Sequence, residues 1–170
     1  MKAAVQTVEN PLPVIRHPEA GDGRKIWRLV KDTGILDLNS AYCYLLLCRH
    51  FSNTCLVAET GGEINGFITA YKMPDDETTL FIWQIGVAEN ARNQGLAIKL
   101  IMELLHGDYC RNINRIQATV SPSNTASLAL FKSLARDLNT ALEQKDFFGP
   151  ALFPAEHHHE KEMLITVGQF

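Results

Sequence analysis

The run Arg92-Asn93-Gln94-Gly95-Leu96-Ala97 has the composition of an anion seat. It stands between an apolar stretch ending at Val87 and a segment in which Leu96, Ala97, Leu100, Ile101, Leu104 and Leu105 recur at helical spacing. The first backbone N–H groups of such a helix have no partner within it, and its dipole makes that end positive, so a pyrophosphate can rest there. Gly95 lets the backbone come close, and Ala97 keeps the next turn small. The same six residues also suit an ordinary helix start in which Gly and Ala serve close packing, so the run alone leaves both readings open.

Two other reactive groupings carry less. His157, His158 and His159 invite a metal, but consecutive residues of a strand alternate faces and are ill placed to chelate one ion; no metal is expected. Cys43, Cys48, Cys55 and Cys110 lack paired Cys-x-x-Cys spacing, and Cys110 has no readable activating His and Asp, so reduced, buried thiols are expected.

The elements that position these residues follow from patterning. A chain of 170 residues, 46% hydrophobic and 21% charged, has room for one domain with a full core and is neither disordered nor fibrous. Its net charge of −3 argues against a nucleic-acid backbone as partner. No signal-like segment or membrane-length apolar run is visible, so a cytoplasmic protein is expected. Residues 1–13, ending in Pro-Leu-Pro, read as a flexible arm, and residues 14–170 as one domain.

A first strand is predicted near residues 14–17, then a helix from Gly23 that stops at Gly34, and a second helix over residues 41–51 capped by Asn39 or Ser40. Strands over residues 54–59 and 64–73 flank the turn pair Gly61-Gly62. A polar loop at residues 74–77 precedes the most apolar strand, 80–87, which should be central; its Gly86 suggests a bulge or a close approach. A helix over 96–105, a strand over 115–120, a turn at 121–124 and a helix carrying Leu128, Leu130, Phe131 and Leu134 follow. After a loop at residues 147–154, a last strand spans 160–167. The sum is a mixed α/β sheet with parallel and antiparallel pairs.

The apolar strand, the Arg92 run and residues 120–132 together resemble the acyl-coenzyme A site of GNAT-type N-acetyltransferases, whose pyrophosphate loop, Gln/Arg-x-x-Gly-x-Gly/Ala, is matched by Arg92, Gly95 and Ala97. The resemblance implies a mostly antiparallel sheet with two splayed parallel central strands and helices on both faces. Acetyl-CoA, as co-substrate, would lie in the V between strands ending at Val87 and Val120. Its pantetheine would run along Ile85, Gly86 and Val87, its pyrophosphate against Arg92, Asn93, Gln94, Gly95, Leu96 and Ala97, and Asn124 would hydrogen-bond it from the other side. Residues 36–42, 81–87 and 159–162 further resemble the diaminobutyrate acetyltransferase family of ectoine synthesis, which implies a homodimer and a small diamino acid as substrate.

An amine with a pKa near about 10.4 must lose its proton before attacking a thioester, and the carbonyl oxygen then gathers negative charge that an N–H near Gly86 or Val87 would stabilise. A substrate with two ammonium groups calls for acids and an aromatic face. Asp37, Glu162 and Trp83 match the subfamily pattern and fit that need, with Glu160 as second choice to Glu162 and Tyr42 as a further catalytic candidate through its hydroxyl. Each also has a plain structural reading, Asp37 as a loop or cap carboxylate and Trp83 as a core aromatic. Many relatives place a Tyr where Phe131 stands, which leaves the acid for the departing thiolate unassigned. Another small amine, a protein lysine, or acyl-CoA binding without catalysis are the competing readings.

Overall fold

The Gly61-Gly62 pair, with φ of 60° and 85°, closes a hairpin between β2 (Leu56–Thr60) and β3 (Glu63–Met73), and this hairpin starts the main sheet. Only residues free of a Cβ clash hold such angles at little cost. β4 (Asp76–Val87) returns along β3 and takes the middle place among seven strands. The structure, a computed structural model, describes residues 12–155 and 159–170; most of the expected arm, residues 1–11, lies outside them.

β1 (Val14–Arg16), β5 (Arg115–Val120), β6 (Leu142–Phe148) and β7 (Glu162–Gly168) complete the sheet in the order β1-β2-β3-β4-β5-β7-β6. Every neighbouring pair is antiparallel except β4 and β5. Those two are parallel and pair only from Thr79–Arg115 to Phe81–Gln117; beyond, β4 runs on to Val87 and β5 to Val120 with a gap between them.

Helices cover both faces. α1 (Gly23–Thr33) and α2 (Ala41–His50) bury Ile26, Val30, Tyr44 and Leu47 against Val57, Ile64 and Phe67 on one side. On the other, α3 (Leu96–His106) and α4 (Thr125–Asp137) bury Leu100, Ile101, Leu104, Phe131 and Leu134 against Ile68, Leu80, Ile82, Ile116 and Ile165. Each such side chain taken fully out of water contributes about 1.5–3 kcal/mol. Of the two caps the sequence offers for α2, Ser40 is the one that accepts from the Cys43 N–H, and Gly34 ends α1 in the left-handed conformation where a stop is expected.

Four expectations are corrected. The polar loop at residues 74–77 is a tight turn at Pro74-Asp75, because Asp76 already opens β4, with both its carboxylate oxygens bonded to Thr78 and Thr79 hydroxyls. β6 was not predicted: its residues are almost all exposed, so no apolar alternation marks it, and its backbone pairing with β7 holds it at the sheet edge. β7 starts at Glu162, leaving Glu160 ahead of the strand. The bulge in β4 falls at Trp83, where Thr69 pairs with Gln84 and Ala70 with Ile82, not at Gly86.

That extra residue re-phases the strand. Leu80 and Ile82 face α3 and α4, whereas Gln84 turns to the α2 side, where its amide meets Tyr44. Gly86 answers instead to a close approach: a Cβ there would stand 2.5 Å from Cε1 of the buried Phe67 ring.

Candidate active site

The gap between β4 and β5 opens into a cleft of about 270 Å³ whose walls are the end of β4, the start of α3 and the start of α4. Ala88 donates its N–H to the Asn65 carbonyl on β3. Because successive residues of a strand turn their backbone groups to opposite sides, Gly86 also faces β3, while Ile85 and Val87 face the cleft. Of the two N–H groups weighed as oxyanion donors, that of Val87 is the one facing the cleft. The Val87 carbonyl is taken by Arg92 Nε at 3.2 Å, which fastens the following loop to the strand end.

That loop is shaped by two left-handed residues, Asn93 at φ 61° and Gly95 at φ 74°, and Gly95 precedes α3 with no side chain capping the helix. The N–H groups that open α3 are thus free to bind an anion. Ile85, Gly86, Val87, Arg92, Asn93, Gly95, Leu96 and Ala97 all line the cleft, as expected. Gln94 does not: its side chain points away and donates to the Asn90 carbonyl at 3.1 Å. Asn124 lines the opposite wall, but its Oδ1 accepts from Ser127 N–H as the cap of α4, so only its Nδ2 is left to donate to a ligand.

The acceptor candidates gather around a residue not counted among them. His159 Nε2 lies 3.6 Å from Asp37 Oδ2 and 3.8 Å from Glu162 Oε1. Its ring stacks on Phe153, 3.9 Å between centroids at 8°, and its Nδ1 is 2.7 Å from the Glu160 carbonyl. β7 brings Glu162 there, since the next residue, Met163, pairs with Val120 at the end of β5. The helix-start side chain of Ser40 and the loop 36–39 bring Asp37. Glu162 is 15% exposed, His159 23% and Asp37 88%, so the trio is a carboxylate deep in the site, an imidazole across it, and a carboxylate at the mouth.

Burial pushes the Glu162 carboxyl above the ordinary carboxylate range, with nearby His159 pulling the other way. His159 is raised in turn, first by its bond to the Glu160 carbonyl, with burial opposing and Asp37 and Glu162 adding to the rise. Glu160 is directed elsewhere, accepting from Ser123 N–H at 3.2 Å. Trp83, 46% exposed at the bulge rather than in the core, precedes Gln84, whose Nε2 donates to the Asp37 carbonyl at 2.7 Å. Tyr42 is 67% exposed on α2 and, among the described residues, has no hydrogen bond to the trio; the structure does not bring it to them. His157 and His158 lie outside the described residues. Cys48, Cys55 and Cys110 are buried and Cys43 half-buried; burial pushes the Cys48 and Cys55 thiols up to about 12, inert at neutral pH.

His159 was legible only as one of three histidines. Its place depends on a last strand that starts at residue 162 and a loop that folds Phe153 over it, neither of which leaves a local mark.

A splayed parallel pair with a bare helix start beside it defines the class, and the sequence agrees: residues 24–135 match the Acetyltransferase (GNAT) family. The chain is 43% identical over 161 residues to the L-2,4-diaminobutyric acid acetyltransferase of Shouchella clausii, covering 95% of this chain and 89% of that protein. It is 44% identical over 154 residues to the enzyme of the same name from Halalkalibacterium halodurans, covering 91% and 80%. Among solved structures it is similar to diaminobutyrate acetyltransferase EctA from Paenibacillus lautus, in complex with its substrate L-2,4-diaminobutyric acid and coenzyme A, at a TM-score of 0.89 and 43% identity over 92% of this chain and 95% of that one. The chain belongs to the GNAT acetyltransferases and, within them, to the family of L-2,4-diaminobutyric acid acetyltransferases.

Proposed function

We propose that the protein moves the acetyl group of acetyl-CoA to the 4-amino group of L-2,4-diaminobutyrate, giving N4-acetyl-L-2,4-diaminobutyrate as a step in ectoine synthesis. The observation that carries this reading is the meeting of Asp37 and Glu162 on His159, with Leu36, the residue before Asp37, lining the cleft. Two acids next to an aromatic suit a small dication and give a bare hydrocarbon amine no second anchor.

In this reading acetyl-CoA lies along Ile85 and Val87 with its pyrophosphate on the first N–H groups of α3 and its pantetheine amide reached by Asn124 Nδ2. The residues present fit that group: the strand edge is unpaired, the helix start is uncapped, and Gly95 has nothing within 4 Å of where a Cβ would be. When bound it supplies the activated acetyl thioester. Asp37, at the mouth, holds the α-ammonium with the face of Trp83 behind it. Glu162, its carboxyl raised by burial, is the base that takes the proton from the γ-nitrogen, and His159 lies between the two carboxylates. The Val87 N–H supports the charge that gathers on the carbonyl oxygen. Phe131 is buried in the core, so no residue there protonates the thiolate; a thiol of pKa about 8.5 leaves unaided.

We further propose that residues 14–170 form one catalytic domain, that the protein acts in the cytoplasm, and that it works as a homodimer. Among the described residues no helix is long and apolar enough to cross a membrane. The test is thiol release from acetyl-CoA with diaminobutyrate against lysine, ornithine and spermidine, with NMR of the product. Selective turnover of diaminobutyrate to a single γ-acetyl product supports the reading. Equal rates across the panel would leave a general amine acetyltransferase, and binding without turnover an acyl-CoA-binding module.

A further inference from the structure

The loop that carries Asp37 has few ties of its own, and one buried side chain supplies the main one. Gln84 turns to the α2 side because of the extra residue at Trp83. Its Oε1 accepts from the hydroxyl of Tyr44, a fully buried residue, at 3.0 Å, and its Nε2 donates to the Asp37 carbonyl at 2.7 Å. The same Tyr44 hydroxyl accepts from the Asn39 N–H at 3.4 Å, so both ends of the segment 37–39 hang on one buried pair. Burial raises the Tyr44 phenol, which keeps it protonated and fixes which way the amide of Gln84 is turned. An amide carries its acceptor and its donor on separate atoms, so it can accept from a phenol and donate to a carbonyl at once.

We propose that Gln84, oriented by Tyr44, is a positioning residue for the acceptor: it sets the backbone at Asp37 and thereby where the Asp37 carboxylate meets the substrate ammonium. The proposal rests on the diaminobutyrate reading and deepens it. It makes the β4 bulge serve two ends, since the same shift that exposes Trp83 aims Gln84 at the loop. The Asp37 side chain itself is largely in solvent, and its placement comes from its own main chain rather than from packing.

Two variants separate the links. Gln84→Glu keeps an acceptor for Tyr44 but turns the donor facing the Asp37 carbonyl into an acceptor, leaving that carbonyl unpaired. Tyr44→Phe keeps the amide and removes the hydroxyl from both Gln84 and Asn39. We expect Gln84→Glu to raise the KM for diaminobutyrate about tenfold and Tyr44→Phe about threefold, the range of a lost buried hydrogen bond, while the KM for acetyl-CoA stays within twofold. Amide hydrogen exchange at Asn39 in the free protein should speed up in both. Parallel rises in both KM values with a lower melting temperature would mean a structural role only and overturn the proposal, as would an unchanged KM for diaminobutyrate. If the wild type does not acetylate diaminobutyrate, the substrate reading falls. Exchange at Asn39 then decides separately whether Gln84 holds the loop, and unchanged exchange overturns that too.

Discussion

In the proposed reading, the two halves of the site recognise their ligands by different means. The cofactor end uses backbone: the strand edge at Ile85 and Val87, and the helix start after Gly95, with small side chains keeping clear. The acceptor end uses side chains from three separate stretches, Asp37, Trp83 and the His159–Glu162 pair, held by a buried amide and a stacked ring. Backbone recognition is fixed once a helix starts in the right place, and it tolerates any side chain that does not intrude. Side-chain recognition holds only while strands, loop and bulge all keep their register. Substitutions should therefore separate the two ends cleanly.

The largest effect is expected at the acceptor end. Glu162→Gln keeps shape and removes the base, and kcat should fall by about 10²–10⁴-fold, the usual span for a general base, with acetyl-CoA affinity near wild type by calorimetry. A wild-type kcat would move the base elsewhere.

At the cofactor end, Ala97→Asp places a negative charge in the first turn of α3. The helix dipole favours it, so the melting temperature should hold or rise slightly. A like charge near the pyrophosphate, at a few kcal/mol near a surface, should weaken acetyl-CoA binding by roughly ten- to a hundredfold. This is cleaner than substitution of Gly95, whose left-handed conformation would add strain of about 1–2 kcal/mol. Unchanged affinity would break the anion-seat assignment.

The coupling within the trio sharpens the comparison through pH. Activity as base requires Glu162 ionised, so kcat/KM should climb as pH rises through its raised pKa. His159 pulls that pKa down; His159→Gln removes the pull, and the acidic limb should move to higher pH. A limb that stays in place would show that Glu162 does not govern it.

Between the ends, Gly86→Ala forces a methyl against Phe67 and should cost about 1–3 kcal/mol of stability in chemical denaturation, as overpacking does. The smallest effect is expected at Gln94. Among the described residues its side chain bonds the Asn90 carbonyl alone, at the surface, so Gln94→Ala should change the KM for acetyl-CoA by less than about threefold.

The same contrast explains what was legible in the chain. The proposed pyrophosphate wall lies within a few consecutive residues, and its geometry is a local property of a helix start, so the helix start after Gly95 could be read directly, while its use as an anion seat came from the resemblance. The long helices carry apolar periodicity, and α3 and β5 match their predicted spans closely. β6 carries no such pattern because an edge strand with mostly exposed side chains is held chiefly by its main-chain pairing with β7. Asp37, Trp83 and Glu162 were reached by resemblance. The part played by His159 was not, since nothing near it in the chain marks it as their link.

What the sequence determined by itself, then, was what short-range sterics and backbone donors set: the helices, the Gly61-Gly62 hairpin, a cap at Asn39 or Ser40 and the bare helix start after Gly95. Tertiary structure decided the rest. Which N–H at the end of β4 faces the cleft follows from its register on β3. Which face Gln84 takes follows from one extra residue at Trp83. Which carboxylates share an imidazole follows from β7 starting against the end of β5. A register is a property of two strands together, and a shift of one residue turns every side chain to the other face, so no stretch of chain read alone contains it.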